Sequence, residues 1–142
     1  MSELRPFNLL VVDDDDVAAE AVSRGLHRHG MECPVAFAED GFAALQILRG
    51  THPSRRILKP YLILLDLNMP RMNGIEFLRE LRLDSILGGT VVFVLSTSDS
   101  DKDRALAYRQ NIAGYMVKSN LGPHFSGLAR FLAEYRCAMI LP

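Results

Sequence analysis

Asp13, Asp14, Asp15 and Asp16 follow an apolar run that ends at Val12. Asp66 and Asn68 stand at the end of a second such run, Ser96 and Thr97 at a third, and Lys118 just after a fourth. Three carboxylates in close quarters repel one another, and burial would raise their pKa values. A divalent cation removes that conflict. Mg²⁺ or Mn²⁺ takes oxygen ligands, a few from protein and the rest from water or phosphate. Asp13, Asp14 and Asp66, with the backbone carbonyl of Asn68, would supply such a set. Lys118 can pair with a carboxylate at rest and with a phosphoryl oxygen later, while the Ser96 hydroxyl donates to another. Together these groups describe an acceptor for phosphoryl transfer, with an Asp carboxylate as nucleophile. Each residue alone has a plainer reading. Asp15 or Asp16 suits a helix start, and a lone Asp or Lys after a strand is a turn former or a solvated charge. Only their recurrence at the ends of apolar runs points to a site.

For these groups to meet, the runs must be neighbouring strands with their carboxyl ends aligned. The runs are Phe7 to Val12, Pro34 to Ala38, Tyr61 to Leu67, Val91 to Leu95 and Ala113 to Val117. They lack polar alternation, as strands buried on both faces do in parallel sheets. Helical stripes lie between them: Val17, Ala21, Val22 and Leu26; Phe42, Leu45 and Leu48 after a capping Asp40; Ile75, Leu78 and Leu81; Ala105, Leu106 and Tyr108. A last one, Phe125, Leu128, Ala129 and Leu132, follows Pro123. Strict alternation predicts an α/β fold, a doubly wound (βα)5 flavodoxin-like parallel sheet with strand order 2-1-3-4-5. Ligand sites of such sheets lie beyond the carboxyl ends of the strands. The two long connections, Thr51 to Pro60 and Leu83 to Thr90, precede strands and so fall on the opposite face.

The chain's 142 residues suit a single domain, 1–142, and a composition of 49% hydrophobic and 23% charged residues excludes disordered and low-complexity classes. A net charge of -1 gives no field favouring nucleic acid or an anionic membrane. Cys33 and Cys137 form no disulfide framework. The start, residues 1–6, lacks the apolar stretch of a signal peptide, and no run approaches the ~18 apolar residues of a membrane span, so a cytoplasmic protein is expected. His27, His29, His52 and His124 are dispersed and read as surface residues. Arg55, Arg56 and Lys59 read as a solvated basic loop. Phe131 and Tyr135 fall on a different side of the last helix from its core stripe. With Met139, Ile140 and Leu141 they extend an apolar surface that predicts a twofold homodimer.

The segments Val12-Asp13-Asp14, Leu65-Asp66-Leu67-Asn68-Met69-Pro70 with Asn73-Gly74, Leu95-Ser96-Thr97-Ser98 and Tyr115-Met116-Val117-Lys118 resemble the receiver domain of two-component response regulators. The resemblance covers about residues 8–135. It implies that Asp66 is the phosphoacceptor, that Asp13, Asp14 and the Asn68 carbonyl join it around Mg²⁺ or Mn²⁺, and that Lys118 pairs with the phosphoryl group. It further implies that Ser96 is the switch hydroxyl and Tyr115 an aromatic that turns inward when Ser96 moves. The expected donor is the phosphohistidine of a sensor histidine kinase. No turnover enzyme is implied beyond self-dephosphorylation. No effector domain is expected after the short C-terminal extension. The insertion before the third strand and the chain end also resemble phytochrome-associated single-domain regulators, which implies a phytochrome as the kinase.

Two rivals share parts of this chemistry. Asp13-x-Asp15-x-Val17 fits the nucleophile motif of haloacid-dehalogenase-type phosphohydrolases, although no acid follows Lys118 until Glu134. A non-phosphorylated pseudo-receiver would act by binding alone. The sequence departs from the receiver pattern at Ser119, where proline is common after the lysine. A cis bond before a non-proline residue costs about 2.5–4 kcal/mol, so a trans Lys118-Ser119 bond is expected.

Overall fold

The computed structural model describes residues 7–142. Residues 1–6, read above as lacking a signal peptide, lie outside the described residues. The elements alternate from end to end: β1 (Asn8–Val12), α1 (Asp16–Arg28), β2 (Val35–Ala38), α2 (Gly41–Arg49), β3 (Tyr61–Leu65), α3 (Gly74–Leu83), β4 (Val92–Ser96), α4 (Asp101–Arg109), β5 (Gly114–Val117) and α5 (Ser126–Ala138). The strands form one parallel sheet in the order β2-β1-β3-β4-β5, as the alternation predicted.

Successive side chains along each strand point to opposite faces, which divides the core in two. Leu9 and Val11, Leu62 and Leu64, and Phe93 and Leu95 meet α1 and α5 on one face. Leu10 and Val12, Ile63 and Leu65, and Val92 and Val94 meet α2, α3 and the inner edge of α4 on the other. Each fully buried side chain of this size contributes about 1.5–3 kcal/mol by leaving water. Asp15, Asp40, Asn73 and Ser100 cap α1 to α4 by accepting backbone N–H groups of the first turn.

Some helix faces differ from the sequence reading. Val17 is 60% exposed, and α1 instead buries Ala18, Val22, Gly25 and Leu26. Phe42 is 53% exposed while Ala43, Ala44, Leu45 and Ile47 face the sheet. In α4 the buried residue is Ala107, between the expected Leu106 and Tyr108. Small alanines let helix axes approach the sheet, so they win the inner face over larger neighbours that hydropathy favours.

The last helix also starts later than expected. Pro123 opens a short 3₁₀ turn in which His124 and Phe125 take positive φ of 54° and 55°, and α5 begins at Ser126. Phe131 and Tyr135 do not stand apart from the domain. Both rings pack edge-on against Phe93 of β4, with centroids 5.3 Å and 5.5 Å away, and Leu141 folds back onto the same core. The loop before β3 is likewise less solvated than expected. The Arg55 guanidinium donates to the Phe37 carbonyl at 3.1 Å and pairs with Glu39 at 2.6 Å, covering the edge strand β2. Among the described residues no helix is long and apolar enough to cross a membrane.

Candidate functional site

The strand register brings the predicted groups together. Val12 pairs with Leu65 across β1 and β3, and the ladder continues one step as the Asp66 N–H donates to the Val12 carbonyl at 2.8 Å. Asp13 and Asp66 therefore leave adjacent strands side by side. Carboxylate oxygens of Asp13, Asp14 and Asp66 all lie within 4.8 Å of one another. Asp13 and Asp66 are buried and Asp14 is exposed at the rim. Lys118, the first residue past β5, reaches across to donate to Asp13 Oδ2 at 2.8 Å. The Lys118-Ser119 bond is trans, as energetics predicted.

Burial raises the Asp66 carboxyl above its ordinary pKa, opposed by the Asn68 N–H; Asp13 raises it further and Lys118 lowers it. The Asn68 N–H approaches Asp66 Oδ1 at 3.3 Å, so among the described residues Oδ2 has no hydrogen-bond partner. Three carboxylates facing one nearby ammonium leave an excess of negative charge in a partly desolvated recess. That imbalance fits a divalent cation, which takes carboxylate, carbonyl and water oxygens.

The β3–α3 loop is held by close backbone contact. Gly74 donates to the Leu67 carbonyl at 3.0 Å, and a Cβ on Gly74 would sit 2.6 Å from the Asp66 carbonyl oxygen. The capping box of α3, in which Asn73 and Glu76 each accept the other's backbone N–H, fixes the far end of the loop.

Ser96 is fully buried at the end of β4 and accepts the Ser98 N–H at 3.1 Å. Tyr115 is half-buried, packed on the α2–α3 side of the core, and its hydroxyl donates to the Ser98 carbonyl at 2.8 Å. This bond ties the aromatic side chain of β5 to the β4–α4 loop. Asp15 is the α1 cap, its side chain accepting from Val17 N at 3.0 Å. The four histidines stay outside the site, and His52 shapes its own loop by accepting the Ser54 and Arg55 N–H groups.

Sequence reasoning missed Ser98, Asp103 and Arg82. Ser98 was visible in the hydroxyl run after Ser96, but nothing in that run says which serine bridges elements.

Residues 9–123 match the family described as the response regulator receiver domain. The chain belongs to the response regulator receiver family. It is 35% identical over 113 residues to the probable methanogenesis regulatory protein FilR2 of Methanothrix harundinacea, covering 80% of this chain and 72% of FilR2. It spans only half the length of the nitrate/nitrite response regulator NarL of Escherichia coli, at 34% identity over 83% of this chain. A two-component response regulator of Legionella pneumophila has a similar structure, with TM-score 0.79 and 36% identity over 94% of this chain and 99% of that one. The Mn²⁺-bound form of response regulator Rcp1, known from Synechocystis, superposes with TM-score 0.79 and 26% identity, covering 97% and 99%. The phosphorylated cyanobacterial phytochrome response regulator RcpA gives 0.77 and 26% over the same shares. The receiver family is a signalling family of two-component systems, and phytochrome-associated regulators are among this chain's structural relatives.

Proposed function

We propose that this receiver accepts a phosphoryl group on Asp66 from the phosphohistidine of a sensor histidine kinase. The observation that carries the reading is the placement of Asp66, its Oδ2 unpaired among the described residues, within 4.8 Å of Asp14 and of the Asp13 carboxylate that pairs with Lys118. In the transfer, an Asp66 carboxylate oxygen attacks phosphorus as the histidine N–P bond breaks, and the bonding pair leaves with the imidazole. Because the nucleophile acts as carboxylate, no proton must be removed from it. Lys118 turns from Asp13 toward a phosphoryl oxygen, and the Ser96 O–H donates to another. Asp13, Asp14, Asp66 and the Asn68 carbonyl would hold Mg²⁺ or Mn²⁺, which would supply positive charge to offset the negative charge of the transfer.

Transfer from acetyl phosphate or a phosphorylated histidine kinase, followed by intact-mass measurement, tests this. Wild type gains one phosphoryl group and Asp66→Asn gains none. Equal labelling of both would place the acceptor elsewhere, and no labelling of either would favour a binding-only pseudo-receiver. The likeness to RcpA supports a phytochrome-type kinase as donor. Parallel assays with phytochrome and non-phytochrome kinases check that choice.

A second copy of the chain is the further partner we propose. Phe131, Met139 and Ile140 remain exposed along the last helix and the segment after it, whereas Tyr135 and Leu141 are partly covered by their own domain. The proposed homodimer face is therefore narrower than the apolar run in the sequence.

A further inference from the structure

We propose that Ser98 is the positioning residue that joins the Ser96 hydroxyl, Tyr115 and the first turn of α4 into one unit, through a side-chain bond to Asp103. The inference rests on Asp66 as phosphoacceptor, and it names how a change there reaches the surface. Three groups of Ser98 engage three different elements. Its N–H donates to Ser96 Oγ at the end of β4, 3.1 Å away. Its carbonyl accepts the Tyr115 hydroxyl of β5 at 2.8 Å. Its hydroxyl donates to Asp103 Oδ2 in α4 at 2.7 Å and accepts the Ser100 N–H at 3.2 Å.

The bond to Asp103 is not needed to cap α4. Ser100 already does that, accepting Asp103 N–H at 3.2 Å. It matters because α4 is otherwise lightly held. Ala107 is its one buried residue, so few apolar contacts fix the helix against the sheet. A helix held so loosely takes its position from the loop that leads into it. Ser96 is fully buried, and its oxygen already receives the Ser98 N–H. Drawing that hydroxyl toward a phosphoryl oxygen either pulls Ser98 along or releases its N–H. Both movements shift the carbonyl that holds Tyr115 and the hydroxyl that holds Asp103.

The test compares amide spectra of the isotope-labelled full chain with and without beryllofluoride and Mg²⁺, alongside acetyl-phosphate labelling. In wild type the amides of residues 96–100 and 101–109 should respond together. Ser98→Ala and Asp103→Ala should still take up phosphoryl within about twofold of wild type, while the α4 response falls below about a third. Asp103→Asn keeps an acceptor for the Ser98 hydroxyl and should retain most of the response. A full α4 response in Ser98→Ala overturns the proposal. So does an Asp103→Asn that behaves like Asp103→Ala, because helix-terminal charge would then explain the effect. If wild type takes no phosphoryl group, the Asp66 reading fails separately. The resting spectra still decide the link, since Asp103→Ala must shift the Ser96 and Tyr115 signals, and unmoved signals refute it.

Discussion

Asp14 differs from its two acidic neighbours in being exposed, with Asp13 tied to Lys118 and Asp66 receiving the Asn68 N–H. Like Asp66 Oδ2, it can serve a cation without giving up another partner. Asp14→Ala should weaken Mn²⁺ binding at least about tenfold, a loss of about 1.4 kcal/mol, while leaving the fold intact. Paramagnetic relaxation or calorimetric titration checks this, and equal affinities would remove Asp14 from the metal set. The cysteines offer a second contrast at this scale. Burial pushes the Cys33 thiol up to about 11, and its Sγ donates to the Phe7 carbonyl at 3.1 Å, whereas Cys137 is exposed. Only thiolate reacts with alkylating reagents, so at pH 8 about one Cys33 in a thousand is reactive. Iodoacetamide should label Cys137 first. The Cys33 rate should rise about tenfold per pH unit until the pH nears 11, as followed by peptide mass.

At the scale of elements, the carboxyl-end loops are built by hydrogen bonds to backbone, and Arg82 does the same at the opposite end of α3. Its guanidinium donates to the carbonyls of Gln110 at 2.7 Å, Gly88 at 2.9 Å, Thr90 at 2.7 Å and Asn111 at 3.0 Å. One side chain thus fastens the loop before β4 to the turn before β5. Arg82→Ala should cost about 2 kcal/mol in urea unfolding, since charged donors are lost from several partly buried carbonyls. Arg82→Lys should restore little of it, because one ammonium cannot span four carbonyls. Wild-type stability in Arg82→Ala would show that water replaces these bonds freely. Gly74 makes the corresponding prediction beside the site. Gly74→Ala forces its Cβ against the Asp66 carbonyl oxygen, a backbone atom that cannot swing aside. It should destabilise by about 1–3 kcal/mol and slow phosphoryl uptake by displacing Asp66. Uptake at the wild-type rate would mean that the loop absorbs the shift elsewhere.

At the scale of the whole molecule, the exposed apolar segment at the chain end bears on assembly. Ile140 is 74% exposed, so Ile140→Glu alters the surface without disturbing the core, whereas Phe131→Glu would also break the packing on Phe93. Sedimentation at about tens of micromolar should show self-association of wild type that Ile140→Glu weakens, and a monomeric wild type would end the dimer proposal. The strand order was legible in the sequence alone, which also pointed to Asp13, Asp14, Asp66, Ser96 and Lys118 as candidate site residues. Buried parallel strands read as unbroken apolar runs, and the carboxyl end of each run marks where its polar residue must emerge. It left open what depends on distance across the fold. Whether Val17 or Ala18 faces the sheet turns on how closely α1 approaches, and hydropathy does not encode that. The late start of α5 follows from two positive φ angles at His124 and Phe125, residues that rarely signal such a turn. Arg55, Arg82 and Ser98 bond groups far away in the chain or on other elements, and a local pattern carries no trace of such partners. Those contacts come into being with the assembled fold, because they exist only once β-strands far apart in sequence lie side by side.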